Sequence, residues 1–176
     1  MLQTLASWDQ AITLWVNRSA QTPAVQSLME LLSRNSTWNI VGLCVFFILL
    51  LKNRRLAIFS ALVVLVGVGI SDATSTYLLK PFFERLRPCH SLPQHISAIV
   101  GCGGLYSFPS NHAANAMTIA LLLWRLFGKS IGLLAVGTAM LVGLSRVHLG
   151  AHFVGDILFG FFLALIVSTI LWESLQ

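Results

Sequence analysis

Residues Leu56–Lys80 read LAIFSALVVLVGVGISDATSTYLLK. Before its closing lysine, Asp72 is the one charged side chain in a long apolar run. A run of this length is a membrane-crossing helix, because a span takes roughly 20 predominantly apolar residues. Four more apolar runs follow the same logic, at Trp38–Leu51, Ala113–Arg125, Ser130–Val147 and Phe153–Trp172. The first and third of the five are short, and they borrow flanking residues from near Asn35 and near Ser110. Composition agrees: 56% of the 176 residues are apolar, 10% are charged, and the mean hydropathy is +0.81. A soluble domain of this length carries about 25% charged residues. The expected fold is therefore all-α, a polytopic membrane helix bundle of about five to six spans. It occupies residues 1–176 as a single domain, with no internal repeat or flexible linker.

Ahead of the spans, Leu5, Trp8, Ile12, Trp15 and Val16 fall on one helical face, with Asp9, Gln10 and Asn17 elsewhere. This pattern fits an amphipathic helix at the membrane interface and equally an ordinary packing helix. Pro23 suits the first turn of a second short helix reaching Leu32. No basic start precedes a continuous apolar core, so no cleaved signal peptide is expected.

Orientation follows from charge. Lys52, Arg54 and Arg55 lie between the first two spans, and Arg125 and Lys129 between the third and fourth, with no acid in either connection. The positive-inside rule makes both cytoplasmic. Residues 80–109 and the 148–152 turn then lie outside. The net charge of +5 needs no nucleic-acid partner, since these loop cations and three motif cations account for most of it. Arg85 reads as a solvated loop cation.

The outer face carries three motifs: Lys80-x6-Arg87-Pro88, Pro109-Ser110-Asn111-His112, and Ser145-Arg146-x5-His152-x3-Asp156. Lysine and arginine neutralise phosphate charge, and a guanidinium matches two phosphate oxygens at once. Histidines serve as nucleophile and as proton donor. Asp156, four residues after His152, is placed to hold its ring in one tautomer. Ser110 takes an N-cap position, where the hydroxyl either caps the helix or meets phosphate beside free backbone N–H groups. An unpaired Arg146 near a span end is costly, so a functional partner is expected.

At these residues the chain resembles the type 2 phosphatidic acid phosphatase superfamily, whose signature is K-x6-RP, PSGH and SR-x5-H-x3-D. One position departs: Asn111 stands where the family has Gly. Asn is the residue after Gly that best tolerates a left-handed backbone, which would preserve the turn before His112. The resemblance implies a cofactor-free hydrolysis. His152 attacks phosphorus, Asp156 orients and stabilises the imidazolium, and His112 protonates the leaving oxygen. Lys80, Arg87, Ser110, Asn111 and Arg146 bind the phosphoryl oxygens. The substrate is expected to be a membrane lipid phosphate or diphosphate, the partner the bilayer itself. The place is the bacterial cytoplasmic membrane, with the site facing outside.

The rival class is an anion or lipid-phosphate transporter, which intramembrane charges would also suit, but no repeated half with paired broken helices is present. His148-x3-His152-x3-Asp156 would suit a metal on a continuous helix, although Gly150 argues against continuity and no metal is expected. Cys89 and Cys102 share the outward loop, as a disulfide or as two thiols, and Cys44 reads as a packing residue. Asp72, about 12 Å below Lys80 at helical rise, needs a partner that the sequence does not name. Asn115 reads as a packing residue.

Overall fold

The computed structural model describes residues 2–176, with side chains from Thr4 onward. Its elements are α1 (Leu2–Arg18), α2 (Pro23–Ser33), α3 (Asn35–Lys52), α4 (Arg54–Phe83), a short α5 (Pro88–Ser91), α6 (Asn111–Phe127), α7 (Lys129–His148) and α8 (Val154–Glu173). Four of these, α3, α4, α7 and α8, are long and apolar enough to cross a membrane. Helix α6, with 17 residues, spans about 25 Å and starts between α4 and α8 at the motif-bearing face, called the outer face after the orientation expected from charge. Its crossing is required by connectivity: it starts beside the end of α4, and α7 returns to the same face.

The core is built where α6 packs against α7 and α8, through Met117, Ala120, Ala139 and Ala164 and, nearer the outer face, Ala113, Val147 and Ile157. Small residues let the helices approach closely, as expected where lipid removes any hydrophobic incentive to associate. Gly160 marks a close approach of α8 to the start of α6. A Cβ there would sit 2.9 Å from the Ser110 carbonyl oxygen and 3.1 Å from the Ala114 nitrogen. By contrast α3 buries none of its residues. Its apolar side chains, such as Leu51 at 89% exposure, have the acyl chains as solvent. Cys44 is exposed on this helix rather than packed within the protein.

A proline ordinarily stops a regular helix, yet Pro81 does not end α4. The chain widens into a π-helical stretch over Thr74–Leu79, where the Lys80 N–H donates to the Ser75 carbonyl, and continues to Phe83. Proline lacks an N–H and crowds the carbonyl four residues back, and a widened turn relieves both conflicts. The helix ends at Glu84, in the left-handed region with φ 46°.

The outer loop is pinned twice. A single antiparallel bridge joins Leu86 to Tyr106, and a disulfide joins Cys89 to Cys102 with the Cα atoms 5.9 Å apart. Helix α1 then lies across this face with its amphipathicity inverted. Thr13 and Asn17 are fully buried toward the protein, while Leu5, Trp8, Ile12 and Trp15 are 43–71% exposed. Thr13 Oγ1 accepts from the Val154 N–H at 3.1 Å, and the Asn17 amide donates to the carbonyls of His148 and Ser97 at 2.8 and 3.0 Å. Of the two readings open for this helix, the structure combines them: the polar stripe packs and the apolar stripe faces outward.

The substitution Gly160→Ala forces α8 against backbone atoms at the start of α6. It is expected to cost about 1–3 kcal/mol, measured as a lower unfolding temperature in detergent, with a loss of activity because Ser110 must move.

Candidate active site

Each motif sits where a helix begins or ends on the outer face. The widened turn in α4 presents Lys80, whose Nζ donates to the Pro109 carbonyl at 2.8 Å. Ser110 is the N-cap of α6, its hydroxyl accepting weakly from the Ala113 N–H at 3.5 Å. Its own N–H donates to the Asp156 carbonyl at 3.1 Å. Arg87 follows the loop strand that bridges to Tyr106. Its Nε donates to the Gly104 carbonyl at 2.6 Å, and its Nη1 reaches the Ala151 carbonyl and His152 Nε2, each at 3.1 Å.

That last contact settles the tautomer. A guanidinium has no acceptor, so His152 Nε2 must offer its lone pair and the ring proton sits on Nδ1. Nδ1 faces Asp156 Oδ2 at 3.5 Å. His152 is 1% exposed and lies in the turn before α8. Burial, and then the charge of Arg87, Arg146, Lys80 and His112, holds its proton affinity well below the ordinary histidine value. The imidazole is therefore neutral, with its Nε2 lone pair engaged by Arg87 and aimed among cations.

Arg87, His112 and Arg146 line one cavity of about 390 Å³, bounded on its other side by Glu30 and Ser33 of α2, by Arg34 just after it, and by Val100–Gly103 of the disulfide loop. Arg146 finds the partner that its position demands: Nη1 donates to the Ser33 hydroxyl. Of the proposed residues, Arg87, His112 and Arg146 thus line this cavity, and His152 adjoins it through its contact with Arg87. The Asn111 side chain turns away from it. Its amide donates to Asp72 Oδ1 at 2.8 Å and Thr76 Oγ1 at 2.7 Å, and its carbonyl oxygen accepts from Ser75 Oγ at 2.8 Å. Asn111 is also the first residue of α6 and does not adopt positive φ. The left-handed turn expected there does not form, and the Gly-to-Asn departure acts through the side chain. Asn115, read as a packing residue, also donates to Asp72 Oδ1 at 2.9 Å. The intramembrane acid thereby gains two donors, which low dielectric makes strong.

Residues that sequence reasoning missed are Ser33, Asp9 and Arg85. Arg85, read as a solvated cation, donates to Asp156 Oδ1 at 2.8 Å and to Asp9 Oδ2 at 2.6 Å. No local pattern signals a contact between residues this far apart in the chain. The continuous helical face that a His148–His152–Asp156 metal site would use is interrupted between α7 and α8. Gly150 holds that break with φ 74°, and a Cβ there would meet the Ser97 carbonyl oxygen at 2.8 Å. His148 is buried, and its backbone carbonyl binds Asn17.

A membrane helix bundle with cations and two histidines gathered at one face defines a phosphate-handling integral membrane protein. The PAP2 superfamily profile matches residues 59–176, and the chain belongs to that superfamily. It is 32% identical over 158 residues to a lipid A 4'-phosphatase of Porphyromonas gingivalis, covering 87% of this chain and 67% of that protein. It is 36% identical over 107 residues to phosphatidylglycerophosphatase B of Bacillus subtilis, covering 55% of this chain and 49% of that protein. Among solved structures it is similar to the transmembrane PAP2-type phosphatidylglycerolphosphate phosphatase of Bacillus subtilis. There the TM-score is 0.74 and the identity 25%, over 97% of this chain and 85% of that one. Together these make the chain a membrane lipid phosphatase of the PAP2 type.

The Asp72 network generates a test. In Asn111→Ala the acid loses one of its two amide donors in a low-dielectric setting, at a cost of about 1–3 kcal/mol. Thermal unfolding should report that loss, while the activity of the folded fraction falls less than about tenfold, the scale of one ordinary hydrogen bond.

Proposed function

We propose that the protein removes a phosphate from a membrane lipid headgroup by way of a phosphohistidine on His152. The observation that carries this is the lone pair of His152 Nε2, held toward Arg87 at 3.1 Å. The phosphate that displaces this contact takes the guanidinium for its oxygens and meets the lone pair with its phosphorus. Lys80, Arg87 and Arg146 hold the phosphoryl oxygens, joined by Ser110 and the main-chain N–H at Asn111 at the start of α6. Such pre-placed donors supply most of the rate enhancement in phosphoryl transfer. Asp156 stabilises the imidazolium as the phosphorus–nitrogen bond forms. His112, lining the same cavity, protonates the departing lipid oxygen and then draws a proton from the water that cleaves the phosphohistidine. The atoms balance: a lipid monophosphate and water give lipid alcohol and inorganic phosphate, and a lipid diphosphate and water give lipid monophosphate and inorganic phosphate.

Undecaprenyl diphosphate, phosphatidylglycerol phosphate, phosphatidic acid and lipid A phosphate are the candidate substrates. The last ranks first, because similarity to a lipid A 4'-phosphatase extends over 87% of the chain. Inorganic phosphate release by purified protein against these four lipids tests the ranking, with lipid A phosphate expected to turn over fastest.

His152→Ala should abolish turnover, whereas His148→Ala retains most of it. His112→Ala should lose roughly 10²–10⁴-fold on an alkyl phosphate and far less in the first step on an aryl phosphate, whose leaving group departs unaided. Equal losses on both substrates in folded protein would remove His112 from the acid role.

In this proposal the site lies outside a bacterial cytoplasmic membrane. Support comes from the basic loops on the opposite face and from the Cys89–Cys102 bridge, which an oxidising compartment sustains. In a Cys44→Ser background, a cysteine introduced within residues 93–97 should react with an impermeant thiol reagent added to intact cells, and one at Asn53 should not. The opposite labelling would invert the assignment.

A further inference from the structure

Asp156 does not depend on His152 for its position. It is 0% exposed, and its Oδ2 accepts from the Phe153 N–H at 2.9 Å, while Oδ1 is taken by Arg85 at 2.8 Å. Arg85 is in turn fixed from two sides. Its guanidinium lies 4.1 Å over the Phe153 ring, and a second nitrogen donates to Asp9 Oδ2 at 2.6 Å. Asp9 comes from α1 and uses its other oxygen to accept from the Gly155 N–H at 2.8 Å. One acid of α1 therefore grips both the arginine behind Asp156 and the backbone that carries His152 into α8.

We infer that Arg85 and Asp9 are positioning residues of the reaction, acting through Asp156 on the histidine. This rests on His152 being the nucleophile, as proposed above. Neither residue is among those that line the phosphate cavity.

Charge gives the arrangement its purpose. His152 is faced by Lys80 of α4, Arg87 of the loop, His112 of α6 and Arg146 of α7, all opposing the positive charge that develops on the ring. Asp156 is the acid that meets the ring directly. Paired with Arg85 alone, that acid would be neutralised and little negative potential would reach the imidazolium. Asp9 restores it, because the Asp9–Arg85–Asp156 chain carries a net charge of one electron. Arg85 thus holds the carboxylate without cancelling it.

The two substitutions should therefore disturb the acid limb of kcat/KM in opposite directions. Arg85→Gln removes a cation, favours the protonated ring and moves the limb to higher pH. Asp9→Asn removes an anion and moves it to lower pH. Each displacement should be roughly 0.5–1 pH unit at the separations involved. Arg85→Gln should lower kcat by roughly 10²-fold, the scale of a misplaced reacting group, with KM within about twofold. Asp9→Asn should lower kcat about tenfold, and Arg85→Lys, which retains a cation for Asp156, should recover most of the Arg85→Gln loss. The measurements use the full chain in detergent, with thermal unfolding to certify each variant. Wild-type kcat in Arg85→Gln, limb shifts of the same sign in both variants, or losses confined to KM would overturn the inference. So would an Arg85→Lys variant that unfolds like wild type but recovers nothing. His152→Ala assayed alongside separates the failures. If it turns over, the nucleophile assignment falls; if it is inactive while Arg85→Gln and Asp9→Asn behave as wild type, only the present inference does.

Discussion

A single buried carboxylate holds the outer face together. Asp156 caps the start of α8 through the Phe153 N–H, takes Arg85 from the loop, stands behind His152, and accepts the Ser110 N–H at its backbone carbonyl. Burying an ionised acid away from water is costly unless it is paired and fully hydrogen-bonded. That cost organises its surroundings: the loop with Arg85 and the turn before α8 with the Phe153 N–H must both arrive with donors in place. Removing either leaves the charge under-compensated, so the candidate site and the stability of this face are tied to one atom group.

The bundle was legible because its solvent is lipid. Long apolar runs leave no soluble alternative, and the five spans read from hydropathy coincide with α3, α4, α6, α7 and α8 to within a few residues. The motif residues were legible because their spacing places them at helix ends, and the structure gathers all of them except the Asn111 side chain. What could not be read was contact between distant segments. Ser33 with Arg146, Asp72 with Asn111 and Asn115, and Asp9 with Arg85 each join parts of the chain that no periodicity links. Pro81 is a case of its own. A proline is expected to stop a helix, but inside a membrane an interrupted ladder has no water to repair it, and a π-helical stretch is the cheaper solution.

The two sides of the cavity have separate origins in the chain. Arg87, His112 and Arg146 belong to segments matched by the family profile, residues 59–176. Glu30 and Ser33 of α2, and Arg34 just after it, come from upstream of that match. Their carboxylate, hydroxyl and guanidinium accept and donate hydrogen bonds alike.

The inverted amphipathicity of α1 has a practical corollary. Its inward stripe is satisfied by backbone groups of the 148–155 region, so water has nothing to offer it. Its outward stripe, led by Trp8 and Trp15 at 64% and 71% exposure, depends on amphiphile for cover. Once extracted, the protein relies on its detergent collar to extend past the ends of the spans and over this strap. A micelle too thin to do so would expose two indole rings to water at the edge of the reaction centre. Choice of surfactant is thus a variable in any assay of this protein, on the same footing as pH.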